Sequence, residues 1–396
     1  MPNMIGREQA EALIQEQIQQ NIIQGATAPS IVLQLAKKLP AMTSNVTRMR
    51  VLDMLPMAYW VNGDTGFKKT SRQAWDNVFI NAEELAVIVP IPEAVLNDSS
   101  IDIMGEVLPR VNEAFGQKVD QAVVFGVDKP SGWGADLITR ARVAGNNVPY
   151  ASGSDLYSLI LGENGVFGKV EEKGYLVNGV MSATTMKAKL RSVRSNDGTP
   201  IFKSDMQGAT TYALDGAPMF FPTNGAYDRS YALMIAGDFS QLVYSIRQDV
   251  AVKILTEAVI QDPATNEIVY NLAQQDMIAL RVTFRLGFAL PTYATRMDED
   301  GLGCPFAYLE PATPVTAQSV TYTVKDGTGD TAKPIAGAIV NIAGSKIKTN
   351  ESGVATALLS AGTYNVTVKA EGYTTAADTL TVAAAAVTKA IALAAK

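Results

Sequence analysis

The 396-residue chain predicts an α+β body followed by a separate all-β sandwich. Three observations carry that expectation. Runs of period-two and period-3.6 hydrophobicity alternate in mixed order through the first three quarters of the chain. Composition then changes after Glu310-Pro-Ala-Thr-Pro-Val-Thr-Ala-Gln318: no Arg, Trp, Phe, Met or Cys follows Phe306, and Thr, Ala, Val and Gly dominate. Beyond that point short strand-like runs recur between glycines, the pattern of an antiparallel sandwich.

The first segment, residues 1–47, reads as an arm. Ala10, Leu13, Ile14, Ile18 and Ile22 lie among Glu and Gln at the spacing of an amphipathic helix that stops before Gly25, and Pro29 and Pro40 bracket a second short apolar run. A stripe with no core of its own needs a partner surface.

From Thr47 the period changes to two. A strand leads through Ala58, Tyr59 and Trp60 to the turn signal Asn62-Gly63-Asp64, and the chain returns through Phe67, Lys68, Lys69 and Trp75 into the strand Leu85–Ile91. Such a long hairpin is marginal alone and requires a neighbouring surface. The aromatic residues fit either a core or a loop protruding onto another subunit.

Pro90 and Pro92 predict a turn, followed by one long helix over about 100–125. Ser99 or Ser100 caps it, Asp102 suits the positive end of its macrodipole, and Met104, Leu108, Val111, Phe115, Val119 and Ala122 form a single apolar stripe. Pro109 lies inside it. Proline cannot donate to the carbonyl of Gly105 and crowds it, so a bend is expected there, either a hinge or a static kink.

The Gly-rich loop 126–136 follows a helix, lacks a Gly-Lys-Ser/Thr end and is not read as a phosphate cradle. Helices are expected around 155–161 and 183–190, and a short strand over 217–221. Residues 232–255 read as two strands joined through Arg247-Gln248-Asp249, with a last helix and strand ending near Ala289.

Composition excludes several function classes. The chain has no histidine, the commonest general base and metal ligand, and no nucleophile elbow or calcium loop, so neither catalysis nor a cofactor is expected. Its single cysteine, Cys304, allows no internal disulfide and reads as a small buried hydrophobe. Net charge is −6 with no basic run, which argues against sequence reading of DNA. No window suits a signal peptide or a membrane span, so a cytosolic origin is expected and no membrane partner.

Taken in order, the arm, long hairpin, Pro-flanked turn, spine-like helix, Gly-rich loop, mixed domain and the segments Ala236-Gly-Asp-Phe…Arg247-Gln-Asp and Ala279-Leu-Arg…Gly287-Phe-Ala resemble the major capsid protein of tailed bacteriophages with the Hong Kong 97 (HK97) fold. The resemblance spans about residues 45–297 and rests on order more than on any one motif. It implies a capsid core over 48–311, with an extended loop over about 58–79, a spine helix over about 100–125 and an axial domain over about 131–234. It also implies self-assembly into hexamers and pentamers of an icosahedral head enclosing DNA held by weak, non-specific contact. Portal and separate scaffolding or decoration proteins are the other expected partners, since only about 47 residues precede the first hairpin strand. Tyr59, Trp60, Phe67, Lys68, Lys69 and Trp75 become candidates for intersubunit contact, and Gly105 and Pro109 for a spine hinge. Some members crosslink through a loop lysine; Lys68 and Lys69 read more simply as solvated.

After a linker at 312–318, residues 319–396 resemble immunoglobulin-like modules of the carboxypeptidase-regulatory and surface-protein type, through Pro334-Ile-Ala-Gly-Ala-Ile-Val, Thr349-Asn-Glu-Ser-Gly and Ala361-Gly-Thr-Tyr-Asn-Val-Thr-Val. Residues 316–396 hold 7 Lys against 5 Asp plus Glu, so +2, leaving −8 on the body. An outward decoration domain is expected, passive or weakly glycan-binding. A nanocompartment shell with the same fold and a surface adhesin are the alternative readings.

Overall fold

The computed structural model describes residues 30–395 except 57, 59–70, 72, 100–102, 152, 195–211, 263–264, 299–300, 313–316, 328–331, 343 and 384; at 54 and 104 it describes the backbone alone. The described chain falls into a larger unit (28–87, 112–252, 282–396) and a smaller one (88–111, 253–281). The expected helix over 7–24 lies outside the described residues, as do Tyr59, Trp60, Phe67, Lys68 and Lys69.

The arm begins on α1 (Ile31–Leu35), capped by the Ser30 hydroxyl, which accepts from the Leu33 amide. Strand β1 (Lys37–Lys38) pairs in parallel with Val243 and Tyr244, far along the chain. Ile31, Val32, Ala36 and Met42 are buried, so this part of the arm packs into the body.

Strands β2 (Val46–Met54) and β3 (Ala74–Pro92) pair antiparallel from Val46↔Asn81 to Met54↔Ala74, with a register shift between Leu52 and Met54. β3 is longer than expected, running unbroken for 19 residues. The turn expected after Pro90 and Pro92 is instead a helix, α2 (Glu93–Asp98). Pro92 sits at its N-cap with φ −62°, and Glu93 in the first turn complements the helix dipole. The spine helix α3 spans Ile103–Asp120 and widens into a π-helical turn, Gln121–Phe125, that ends on left-handed Gly126. Val111, Phe115, Val119 and Ala122 of the expected stripe are buried.

In the mixed domain, α4 (Leu137–Val143) is capped by Asp136, which accepts from the Thr139 amide at 2.9 Å. β4 (Asn147–Pro149), α5 (Leu156–Leu161), α6 (Val166–Glu171), β5 (Gly179–Ser182), α7 (Met186–Ser192), β6 (Ala213–Leu214), β7 (Ala217–Phe220) and β8 (Met234–Gly237) follow. The helix expected over 183–190 lies a few residues later, because Gly179–Ser182 is a central buried strand.

The expected strand pair at 232–255 needs correcting. The break falls at Gly237-Asp238, where Asp238 caps a short turn, and β9 (Val243–Leu255) then runs straight through Arg247-Gln248-Asp249. Those three residues are polar and exposed and mark a solvated stretch of strand. Among the described residues of the smaller unit, strands stand where the last helix was expected. β10 (Val259–Gln261) and β11 (Ile268–Asn271) form an antiparallel pair, and β12 (Met277–Ala289) follows, with its Asp276 carbonyl accepting from the Glu93 amide at 2.9 Å.

β13 (Phe306–Glu310), just before the expected linker, joins the mixed domain's sheet in the order β4-β13-β8-β5-β7-β6. Cys304 is buried beside it, and burial pushes its thiol up to about 11. The other body sheet has the order β1-β9-β12-β3-β2. Gly287 on β12 lies where a Cβ would come within 2.6 Å of the Ile80 side chain, so only glycine lets the strands meet there.

Among its described residues the terminal domain has seven strands: β14 (Gln318–Lys325), β15 (Ile339–Ile342), β16 (Ser345–Lys348), β17 (Val354–Leu359), β18 (Gly362–Lys369), β19 (Ala376–Val382) and β20 (Val387–Ala392). They form sheets β17-β14-β20 and β16-β15-β18-β19 around a core of Val320, Tyr322, Val340, Leu359, Val366 and Leu380. Five strands match expected runs. β16 and β20 were not expected: β16 is four residues with two lysines, and β20 alternates without any fully buried residue.

Candidate functional site

With no catalytic or cofactor group expected, surfaces and anchors carry the function. Alternation along β3 puts Trp75, Asn77 and Phe79 on one face and Asp76, Val78 and Ile80 on the other. Ile80 is fully buried in a cluster with Met42, Ala82, Val243 and Ala289, with Val78 packed against it. Trp75 and Phe79 are 63% and 55% exposed. Directly opposite them, β2 places Leu52 beside Trp75, Arg50 beside Asn77 and Arg48 beside Phe79. Both arginines are exposed. The result is a solvent-facing strip of aromatic and guanidinium groups, the composition enriched in buried protein interfaces. Of the six contact candidates, Trp75 alone lies among the described residues, and its exposure rules out the core reading. Phe79, on the same face, is also largely exposed; its i+4 spacing from Trp75 in a period-two run was the signal that identifies it.

On the spine helix, Gly105 and Pro109 both lie within α3, which remains helical across the proline. Farther along, Phe115 stacks on Phe284 with ring centroids 6.3 Å apart. The helix ends at Asp120, a residue missed from sequence because nothing local marks it. Its carboxylate is 3% exposed and accepts four hydrogen bonds: Oδ1 from the Ser30 hydroxyl (2.6 Å) and Val32 amide (3.1 Å), Oδ2 from the Ile31 amide (3.2 Å) and Asn224 Nδ2 (2.8 Å). Asp120 thereby ties the arm and the loop around Asn224 to the spine. Burial raises its pKa, and the hydrogen bonds oppose that shift.

The third feature joins body and sandwich. Leu137 to Arg142 of α4 are all buried, including two arginines. Arg140 donates to the carbonyls of Leu290 in the body and Gly344 in the sandwich, and burial lowers its pKa to about 10. Arg142 donates from Nε to the Tyr308 hydroxyl (3.0 Å) and from Nη1 to Ser360 Oγ of the sandwich (3.1 Å), with Glu310 4.0 Å from its other nitrogen. Gly344 has φ +99°, and a Cβ there would lie 2.9 Å from Arg140 Nη2, so both backbone conformation and space demand glycine. Two further pairs cross from sandwich to hairpin: Lys346 to Asp53 (3.4 Å) and Lys369 to Asp76 (3.1 Å). The sequence held one clue to this junction, two charges in an otherwise apolar helix after a capping Asp136.

Among the described residues no cluster of three or more His, Cys, Asp or Glu is placed to hold a metal ion, and no helix is long and apolar enough to cross a membrane.

Long hairpin, spine helix, mixed domain and strand-paired arm together define a shell-subunit fold of the HK97 type. Sequence comparison agrees: the chain belongs to the phage capsid family, whose profile matches residues 10–294, and residues 335–394 match the PEGA domain. It is 26% identical over 288 residues to the major capsid protein of Staphylococcus phage 80alpha, covering 72% of this chain and 83% of that one. Among solved structures, a chain of Microbacterium phage Oxtober96 is 36% identical with a TM-score of 0.67, covering 78% of this chain and 100% of that one. A chain of Mycobacterium phage Adephagia is 31% identical with a TM-score of 0.66, covering 78% and 98%. This protein is thus a phage major capsid protein, a structural component of the virion shell and not an enzyme.

Proposed function

We propose that copies of this chain assemble as hexamers and pentamers of an icosahedral head that encloses packaged DNA, with the extended hairpin as a principal contact between neighbours. The observation that carries this reading is the exposed Trp75–Phe79 face, flanked by Arg48 and Arg50, on a strand whose opposite face is buried. An apolar strip of this kind on a soluble surface is otherwise a liability, and closed symmetric assembly buries it. In the same reading Gly105 and Pro109 are the hinge that lets one spine fit non-identical positions, and the sandwich lies on the outer surface. DNA contact is weak and non-specific, consistent with the −8 charge of the body. Portal, scaffolding and decoration proteins complete the partner set, and residues 1–47, 48–311 and 319–396 are the arm, capsid core and sandwich.

Electron microscopy of the purified chain is the direct test. Closed shells, lost in Trp75→Asp, are expected; a monodisperse monomer at high concentration would sink the reading.

A further inference from the structure

We propose that the terminal sandwich is a strap across the root of the extended hairpin, fixed firmly at one end and releasable at the other. This rests on the reading of the Trp75–Phe79 face as an intersubunit surface, because what the strap controls is the direction of that face.

The fixed end is α4. Arg140 and Arg142 are wholly buried, and each divides its hydrogen bonds between body and sandwich: Leu290 and Gly344 for one, Tyr308 and Ser360 for the other. Val143 packs against the sandwich core as well. Parting the sandwich from the body would break a hydrogen bond from each of these two guanidinium groups and expose the apolar surface around Val143, so this end does not part without cost.

The releasable end is the hairpin. Lys346 on β16 and Lys369 on β18 stand on strands that both pair with β15, so one sheet holds them at a set spacing. Their partners stand one on each hairpin strand, Asp53 on β2 and Asp76 on β3. Asp76 belongs to the face opposite Trp75 and Phe79. Asp53, next to Leu52 and at the register shift, likewise lies opposite the residues that flank those aromatics. The sandwich therefore grips the back of the hairpin and leaves its exposed front free.

The grip is polar. A cleft of about 290 Å³, lined by Val51, Asp76, Trp133, Arg140, Lys346 and Tyr364, separates the two surfaces near the ion pairs. Two ion pairs bordering a cleft hold a direction without the continuous packing that would make it permanent. The charge balance fits, since the sandwich carries +2 against the −8 of the body.

Hydrogen exchange on the full-length chain tests the strap. In Lys346→Ala/Lys369→Ala the amides of 46–54 and 74–79 are expected to exchange about fivefold faster, while the sandwich core strands β14 and β18 keep their rates. Lys346→Arg/Lys369→Arg, which retains both charges, is expected to exchange as the natural chain does. Unchanged hairpin rates in the alanine variant would overturn the strap, as would equal acceleration of the sandwich core, which would make the lysines mere supports of their own domain. Exchange is read whether or not shells form, so failure of the assembly reading would appear separately, in the micrographs.

Discussion

Replacing Asp120 by asparagine isolates the anchor of the arm, because the side chain keeps its shape and loses one acceptor oxygen and its charge. In the natural chain each carboxylate oxygen takes two hydrogen bonds, Oδ1 from Ser30 and Val32 and Oδ2 from Ile31 and Asn224. Whichever way the amide turns, two buried donors lose their acceptor and face an NH₂ group. At 1–3 kcal/mol for each unsatisfied buried donor, and less the relief of no longer desolvating a charge, the net loss is about 3 kcal/mol. If the arm opens locally, that is roughly a 100-fold rise in its open population. The amides of Ile31, Val32 and Leu33 should exchange faster by about that factor, while those of the Val243–Ser245 region of β9 change less. A pH series adds a sign. Because burial raises the Asp120 pKa, its titration contributes stability that is fully present below the ordinary value of 3.8 and is lost as pH rises through the raised value. The gap between natural chain and variant should therefore widen on acidification. Exchange at residues 31–33 within about twofold of the natural chain would refute the reasoning, since four buried hydrogen bonds to one carboxylate cannot then be what holds the arm.

Other substitutions probe the remaining parts. Pro109→Ala restores a helical hydrogen bond to Gly105 and should stabilise the spine by up to about 3 kcal/mol, raising the melting temperature while lowering the yield of closed shells; an unchanged shell yield in micrographs would remove the hinge. Gly287→Ala drives a methyl group to 2.6 Å from the Ile80 side chain and 2.8 Å from the Asn81 carbonyl, so calorimetry should show a loss of about 1–3 kcal/mol. Desolvation opposes ionisation of Asp76, but its bond from the Asn77 amide and the neighbouring Lys369 and Lys346 outweigh it and hold the pKa below 3.8. Its contribution is present above 3.8 and disappears only as pH falls through that lower value, so Trp fluorescence should report a hairpin transition in strong acid that Lys369→Ala removes.

Much of the body was legible because its signals are local. The alternation of β2 and β3, the stripe of α3 and the glycine-separated strands of the sandwich are all read within a few residues of themselves. Misreadings came where one local signal stood for another. Arg247-Gln248-Asp249 looked like a turn and is mid-strand, because a strand with a solvated stretch carries the same polarity as a connection. The helix expected before β12 was lost to the β10/β11 pair, whose three- and four-residue apolar runs are too short to show either period. The exposed face at Trp75 and Phe79 was half visible: period two placed the residues on one side without saying which side met solvent.

By itself the sequence determined the α+β body, the following sandwich, the absence of catalytic apparatus and the order of parts by which a capsid subunit is recognised. Tertiary structure alone decided that Lys37 pairs with Val243, that Asp120 receives the arm, and that α4 turns two arginines inward to hold the sandwich. The physical reason is range. Helix and strand periodicity, caps and turn chemistry act between near neighbours, whereas a buried charge finds its partners 90 or 204 residues away, at Ser30 from Asp120 and at Gly344 from Arg140, only when the whole core has closed around it.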